Sequence, residues 1–254
     1  MLHPTTEAPA PDWPAPATTL NAGGRSDWVL VCEHASCHMP ADYGRLGLPP
    51  GAERDHIGWD IGAADLTRAL AARLDAVAVL AGYSRLLIDL NRPLGTPASI
   101  PERSEATEVP GNRALPQAER DRRAARMFAP FHAEVAALLD ARAAAGRRSR
   151  LLTVHSFTPV YLGQGRPWHL GILSGRSRKL AGALLAAVGA DAPDPRLALD
   201  EPYQVEDDSD YAIPVHGDAR NLDALLIEVR NDLIRDPAGV DLWADRLSRA
   251  LARI

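Results

Sequence analysis

The apolar positions of this chain fall into two kinds of stretch. Short, mostly apolar runs at 28–32 (WVLVC), 77–80 (VAVL), 85–90 (RLLIDL), 151–154 (LLTV), 169–173 (HLGIL) and 225–229 (LLIEV) predict buried strands. Between them, 62–74 places Leu66, Leu70 and Leu74 at helical spacing. Helices are also predicted over 117–146, bent or broken at Pro130, over 176–189 and over 237–254. Residues 95–115, with Pro97, Pro101, Pro110 and Gly111, carry no period, and a loop of that length inside a compact domain is uncommon and often functional. Pro and Asp crowd 191–214. Residues 1–26 are rich in Pro, Ala and Thr and predict a flexible tail, which leaves 27–254 as a single domain. Strands alternating with helices predict an α/β fold with a mostly parallel or mixed central sheet flanked by helices, and no internal repeat is present.

In such sheets ligands bind outside the carboxyl ends of the strands. The run at 28–32 leads into Glu33 and His34, 85–90 into Asn91 and Arg92, and 151–154 into His155 and Ser156, while 225–229 carries Glu228 and leads into Arg230. One strand ending in polar, reactive side chains is unremarkable; four of them suggest one site.

Composition narrows the function classes. The chain has 254 residues and a net charge of −5, so nothing draws it to nucleic acid or to an anionic membrane. No stretch approaches the roughly 20 apolar residues that span a bilayer. The first twenty residues lack the basic and apolar regions of a signal peptide, so a cytoplasmic setting is expected. Cys32 and Cys37 fall in one short segment and are expected as reduced thiols. There is no HExxH helix, no GxGxxG after the first strand and no P-loop pattern.

His34 and His155 at equivalent strand ends suggest metal ligation, because two neutral imidazoles, one carboxylate and an open fourth position make the usual catalytic zinc set. The carboxylate has several candidates. Asp60, before the helix at 62, is either a ligand or a helix N-cap. Glu33 adjoins His34, and strand alternation points it the other way; His56 is a further candidate. Glu228 lies inside an apolar strand, which is costly for a carboxylate unless it is ion-paired or functional; the functional reading is a general base for the attacking water. Arg85 and Arg92 flank LLIDLN and have the planar fork that binds carboxylates. Asp89 between them is expected to orient an arginine or a histidine.

These residues stand in a larger pattern. CEHAS at 32–36, HIGWDIG at 56–62, YSRLLIDLNRP at 83–93, VHSFTP at 154–159 and IEVRND at 227–232 together resemble the N-formylglutamate amidohydrolase family across about 28–250. EPY at 201–203 and DYAIPVH at 210–216 resemble motifs of that family's broader branch. The family is similar to zinc carboxypeptidases and aspartoacylases. The resemblance implies a zinc-carboxypeptidase-like fold, a Zn2+ or other divalent ion held by His34, His155 and an acidic residue, and Glu228 as the catalytic carboxylate. It further implies that Asn91 and Arg92, with Arg230 nearby, hold a substrate carboxylate, and that Arg85 polarises the scissile carbonyl. Relatives place the acidic ligand three positions after the first histidine, where this chain has Cys37; Asp60 of the Trp-Asp motif takes that role. The first motif reads Glu-His-Ala-Ser where characterised formylglutamate hydrolases tend to read Pro-His-Ser-Gly. The implied activity is hydrolysis of an N-formyl or other N-acyl amino acid, such as N-formylglutamate. The alternatives are a zinc peptidase or deacylase with another acyl preference, and a non-catalytic metal- or small-molecule-binding protein on the same scaffold.

Overall fold

The computed structural model of the protein describes residues 13–191, 196–206 and 208–254. Its strands are β1 (Ala17–Leu20), β2 (Trp28–Cys32), β3 (Val77–Ala81), β4 (Arg103–Ser104), β5 (Thr107–Glu108), β6 (Arg150–Phe157), β7 (Val160–Tyr161), β8 (Gln164–Gly165), β9 (Leu170–Leu173), β10 (Leu197–Leu199) and β11 (Asp223–Arg230). Its helices are α1 (Ala63–Leu74), α2 (Gln117–Arg123), α3 (Ala129–Ala144), α4 (Arg178–Asp191) and α5 (Pro237–Leu251). Seven strands form one sheet in the order β1-β3-β2-β6-β11-β9-β10. The central strands β3, β2, β6 and β11 run parallel, while β1 and β9 pair antiparallel at the flanks. The sheet is therefore mixed. β4–β5 and β7–β8 are small separate hairpins.

Strand alternation divides the interior into two cores. Leu30, Leu152, Val154, Leu225 and Ile227 face α1, α4 and α5, where Leu66, Leu70, Leu184 and Trp243 are buried. Val29, Val31, Leu151, Ala224 and Leu226 face the other way, against Phe131, Val135 and Leu139 of α3 and the apolar residues of the loop at 83–100. No helix among the described residues is long and apolar enough to cross a membrane.

Three sequence expectations change. The flexible tail over 1–26 does not hold for its second half: β1 lies along β3, with Ala17 opposite Ala81 and Leu20 opposite Ala78. Trp13 packs edge-on to Tyr43 and Tyr83 at 5.8 and 5.9 Å. Residues 1–12 of that expectation lie outside the described residues. The run at 85–90 is not a strand, because β1 and β2 already occupy both edges of β3. It turns instead over one face of the sheet: Leu86, Leu87, Ile88 and Leu90 are buried there, while the amides of Arg85, Leu87 and Asp89 bond to Gly58, Ser84 and Ser99 carbonyls at 3.2, 3.0 and 2.7 Å. The helical stretch from 117 is not broken at Pro130. A wide π-helical turn at Ala124–Phe128 comes just before it and gives the proline ring the room an ordinary helical turn denies.

Candidate active site

The parallel pairing of β6 with β11 sets His155 directly opposite Glu228 on the sheet face away from α1 and α5. His34 follows the end of β2. Asp60 is brought to it by the turn before α1, where the Asp60 amide donates to the His34 carbonyl at 3.0 Å. That turn needs Gly62, whose φ is +82° and whose absent Cβ would lie 2.2 Å from the Ile234 carbonyl oxygen. Gly62 is also the N-cap of α1, so the N-cap reading of Asp60 does not hold.

One ligand atom each from His34, Asp60 and His155 lies within 4.8 Å of the others, and all three residues are buried. His155 Nδ1 is 2.9 Å and His34 Nδ1 3.3 Å from Asp60 Oδ2, and the two Nδ1 atoms are 3.1 Å apart. Each remote ring nitrogen faces a carboxylate: His34 Nε2 lies 2.8 Å from Asp89 Oδ1, and His155 Nε2 lies 2.9 Å from Glu33 Oε2. This is how metal-binding histidines are oriented, with the outer nitrogen protonated and the inner one free to ligate. Burial pushes the Glu33 and Asp60 carboxyls up, but the two imidazoles outweigh it and hold both below the ordinary range. The donor set and its outer carboxylates fit a divalent ion.

Glu33 therefore backs a histidine; its strand alternation is what carries it to His155. His56 turns away, with Nε2 2.7 Å from Glu105 Oε2. Arg85 lies alongside the cluster. It donates to Asp89 Oδ2 through Nε and Nη2 at 2.9 and 2.7 Å and reaches Asp60 Oδ1 at 3.3 Å. Glu228 is 6% exposed, and its Oε2 has no hydrogen-bond partner. Burial, reinforced by Asp60 and only partly offset by His155, pushes its carboxyl up to about 7. A buried carboxylate titrating near neutrality beside a ligand cluster is the usual property of a general base. Next to Glu228 in the β9–β11 pair is Gly171, where a Cβ would fall 1.7 Å from the Glu201 carbonyl. The missing side chain lets the segment leading to Tyr203 close over the site.

His34, Asp60, Arg85, His155 and Glu228 line a cavity of about 390 Å3 with Tyr161, Tyr203 and Phe157. A larger groove beside it, about 870 Å3, shares Arg85, Arg92 and Glu105 with it but none of His34, Asp60, His155 or Glu228, so the chemistry lies in the smaller one.

The predicted carboxylate grip is arranged differently from expectation. Asn91 Oδ1 accepts the amides of Tyr211 and Ala212 at 3.1 and 2.9 Å, and its Nδ2 donates to Asp210 Oδ1 at 3.1 Å. Arg92 Nη1 donates to the same oxygen at 2.7 Å and to the Ser209 carbonyl at 2.9 Å. Behind them the Leu90 carbonyl faces His132 Nε2 at 2.9 Å, and His132 Nδ1 faces His216 Nε2 at 2.9 Å. Burial drives these two histidines down to about 3 and about 4, so both are neutral. Arg230 is outside the cavity. It grips Asp232 at 2.8 and 3.2 Å and reaches the Arg166 and Pro167 carbonyls, so the substrate contact expected of it is corrected to a surface tie. Sequence reasoning did not single out Asp210 or the Glu33–His155 contact. Only the DYAIPVH motif pointed to Asp210, which is 119 positions from Asn91.

Comparison with known proteins agrees with this architecture. The family model described as N-formylglutamate amidohydrolase matches residues 26–235. The gene product Atu2144 from Agrobacterium tumefaciens is 36% identical, with 94% of each chain covered and a TM-score of 0.88. A structure of N-formylglutamate amidohydrolase from Ralstonia eutropha is 20% identical, covers 94% of this chain and 96% of its own, and has a TM-score of 0.66, which speaks to the fold. No curated protein matches the chain.

Proposed function

Because the chain belongs to the N-formylglutamate amidohydrolase family, we propose that it is a metal-dependent amidohydrolase that cleaves the linear acyl–nitrogen bond of a small N-formyl or other N-acyl compound. The observation that carries this reading is the convergence of His34 Nδ1, His155 Nδ1 and Asp60 Oδ2 beside the unpartnered Glu228 Oε2. Two imidazoles and one carboxylate suit zinc. A divalent ion held there supplies Lewis acidity at the carbonyl oxygen and lowers the pKa of water.

The side chains divide the remaining work. Glu33 and Asp89 hold the outer imidazole nitrogens, so both Nδ1 atoms stay aimed inward. Glu228 Oε2 accepts a proton from the attacking water and returns it to the departing nitrogen as the C–N bond breaks. Arg85, fixed by Asp89 and Asp60, brings a permanent positive charge to the cavity wall, where oxyanion charge develops. Its own charge is secure: burial works against it, but Asp89 and Asp60 outweigh burial and raise its pKa above the ordinary arginine value.

The test is a hydrolysis panel of N-formyl, N-acetyl and longer N-acyl amines and amino acids with zinc-loaded protein, followed by amine release. Turnover that disappears on chelation and returns with metal is the expected result. No turnover of any member by fully loaded protein leaves a binding protein and overturns the reading.

A further inference from the structure

The cavity contains an internal carboxylate where a substrate carboxylate was expected. Asp210 is 8% exposed, and its two oxygens collect three donors: Arg92 Nη1 at 2.7 Å and Asn91 Nδ2 at 3.1 Å on Oδ1, and the Glu206 amide at 3.0 Å on Oδ2. Asn91 is itself 3% exposed and bonded at both ends of its amide, its Oδ1 accepting two backbone amides and one N–H of its Nδ2 committed to Asp210. The other arginine on the cavity wall, Arg85, is held by two carboxylates. Asp60, Glu105, Glu206, Asp210 and Glu228 all line the same space. A carboxylate entering beside Arg92 would meet a cation already neutralised and an anion within contact distance.

We propose that Asp210 is the specificity-determining residue of this cavity: by filling the Asn91–Arg92 seat it selects N-acyl substrates whose amine portion carries no carboxylate there, such as carboxamides or simple amines, over N-acyl amino acids. This deepens the amidohydrolase reading and rests on it for the word substrate. The occupancy of the seat itself does not depend on turnover. A neutral amide leaves the Asp210–Arg92 pair intact, whereas an acid must either displace a buried, hydrogen-bonded carboxylate or sit against it, and each choice weakens binding.

The experiment uses N-formylalanine and N-formylalaninamide, which differ only at the carboxylate, titrated calorimetrically into the native chain and into Asp210→Asn and Asp210→Ala. Asn keeps the shape of Asp210 and carries the comparison if Ala unfolds; thermal melts establish which variants are folded. The native chain is expected to bind the amide at least ~10-fold more tightly than the acid, and the folded variants to gain at least ~10-fold for the acid, about one charge-assisted hydrogen bond. Native chain that prefers the acid, or folded variants that gain no affinity for it, overturn the proposal. Binding that shifts as expected while loaded native protein hydrolyses no N-acyl compound would instead sink the amidohydrolase reading and leave the seat assignment standing.

Discussion

Two charged clusters share one cavity and differ in how complete they are. Around His34, Asp60 and His155, three ligand atoms point at a common place, and Glu228 nearby has a buried oxygen with no partner. Around Asn91 and Arg92, donors and acceptors close on one another through Asp210 and the backbone of 209–212. Both are built of residues that bind ligands in many proteins, and residue type alone does not separate them. What separates them is Glu228, whose buried Oε2 has no partner in the protein, whereas both oxygens of Asp210 are bonded. A buried polar group without a partner is expensive, so it persists where a ligand or a reaction supplies the partner; a fully bonded one already has its reason to be there.

That contrast can be broken most severely at the ligands. His34→Ala and His155→Ala should each lose bound metal, measured on purified protein by elemental analysis, and lose activity with it. Full metal content in both would remove the centre from this place. The next largest effect belongs to Glu228→Gln, which keeps shape and removes the base: kcat should fall at least ~100-fold while metal content and melting temperature hold. The same residue sets a pH dependence. The base acts ionised, and its carboxyl is pushed up to about 7, so kcat/KM should decline as pH falls through that value; a native profile flat from pH 5 to 8 would contradict the assignment. Smaller still is Glu33→Gln, which leaves His155 in place but weakens its orientation; metal affinity should drop about 10- to 100-fold, the usual range for outer partners of metal ligands. An unchanged affinity would make the Glu33–His155 contact incidental. At the bottom of the scale, Arg230→Ala should alter kcat/KM by less than about 2-fold, since its partners are Asp232 and two carbonyls outside the cavity. A large loss there would restore the substrate contact.

The fold was legible where burial is two-sided. The runs at 28–32, 151–154 and 225–229 lie in the middle of the sheet, and a continuous apolar stretch has few other places to go. It was misread where burial comes without pairing: Leu86, Leu87, Ile88 and Leu90 are as hidden as any strand residue, yet they cap a core from a loop. β1 was missed for the opposite reason, since Ala-Thr-Thr-Leu at a sheet edge carries little apolar signal. In the site, His34, His155 and Glu228 were found because strand ends gather ligands, and Asp60 through its motif. Glu33 was judged only as a ligand, although the alternation that removed it from that role is what brings it to His155. The pairing of Asp210 with Arg92 spans 118 positions and leaves no periodic trace. The sequence resemblance named the seat without showing that it was filled.

The missing Cβ of Gly171 has consequences for water. A methyl group there could not coexist with the Glu201 carbonyl, so the segment after β10 that carries Tyr203 would have to lift away from β9. Glu228 would then face bulk solvent, and its carboxyl would relax toward an ordinary acidity, because burial is the main cause of its high pKa. Proton affinity at the centre of the cavity is thus governed from a neighbouring strand by the absence of one carbon atom.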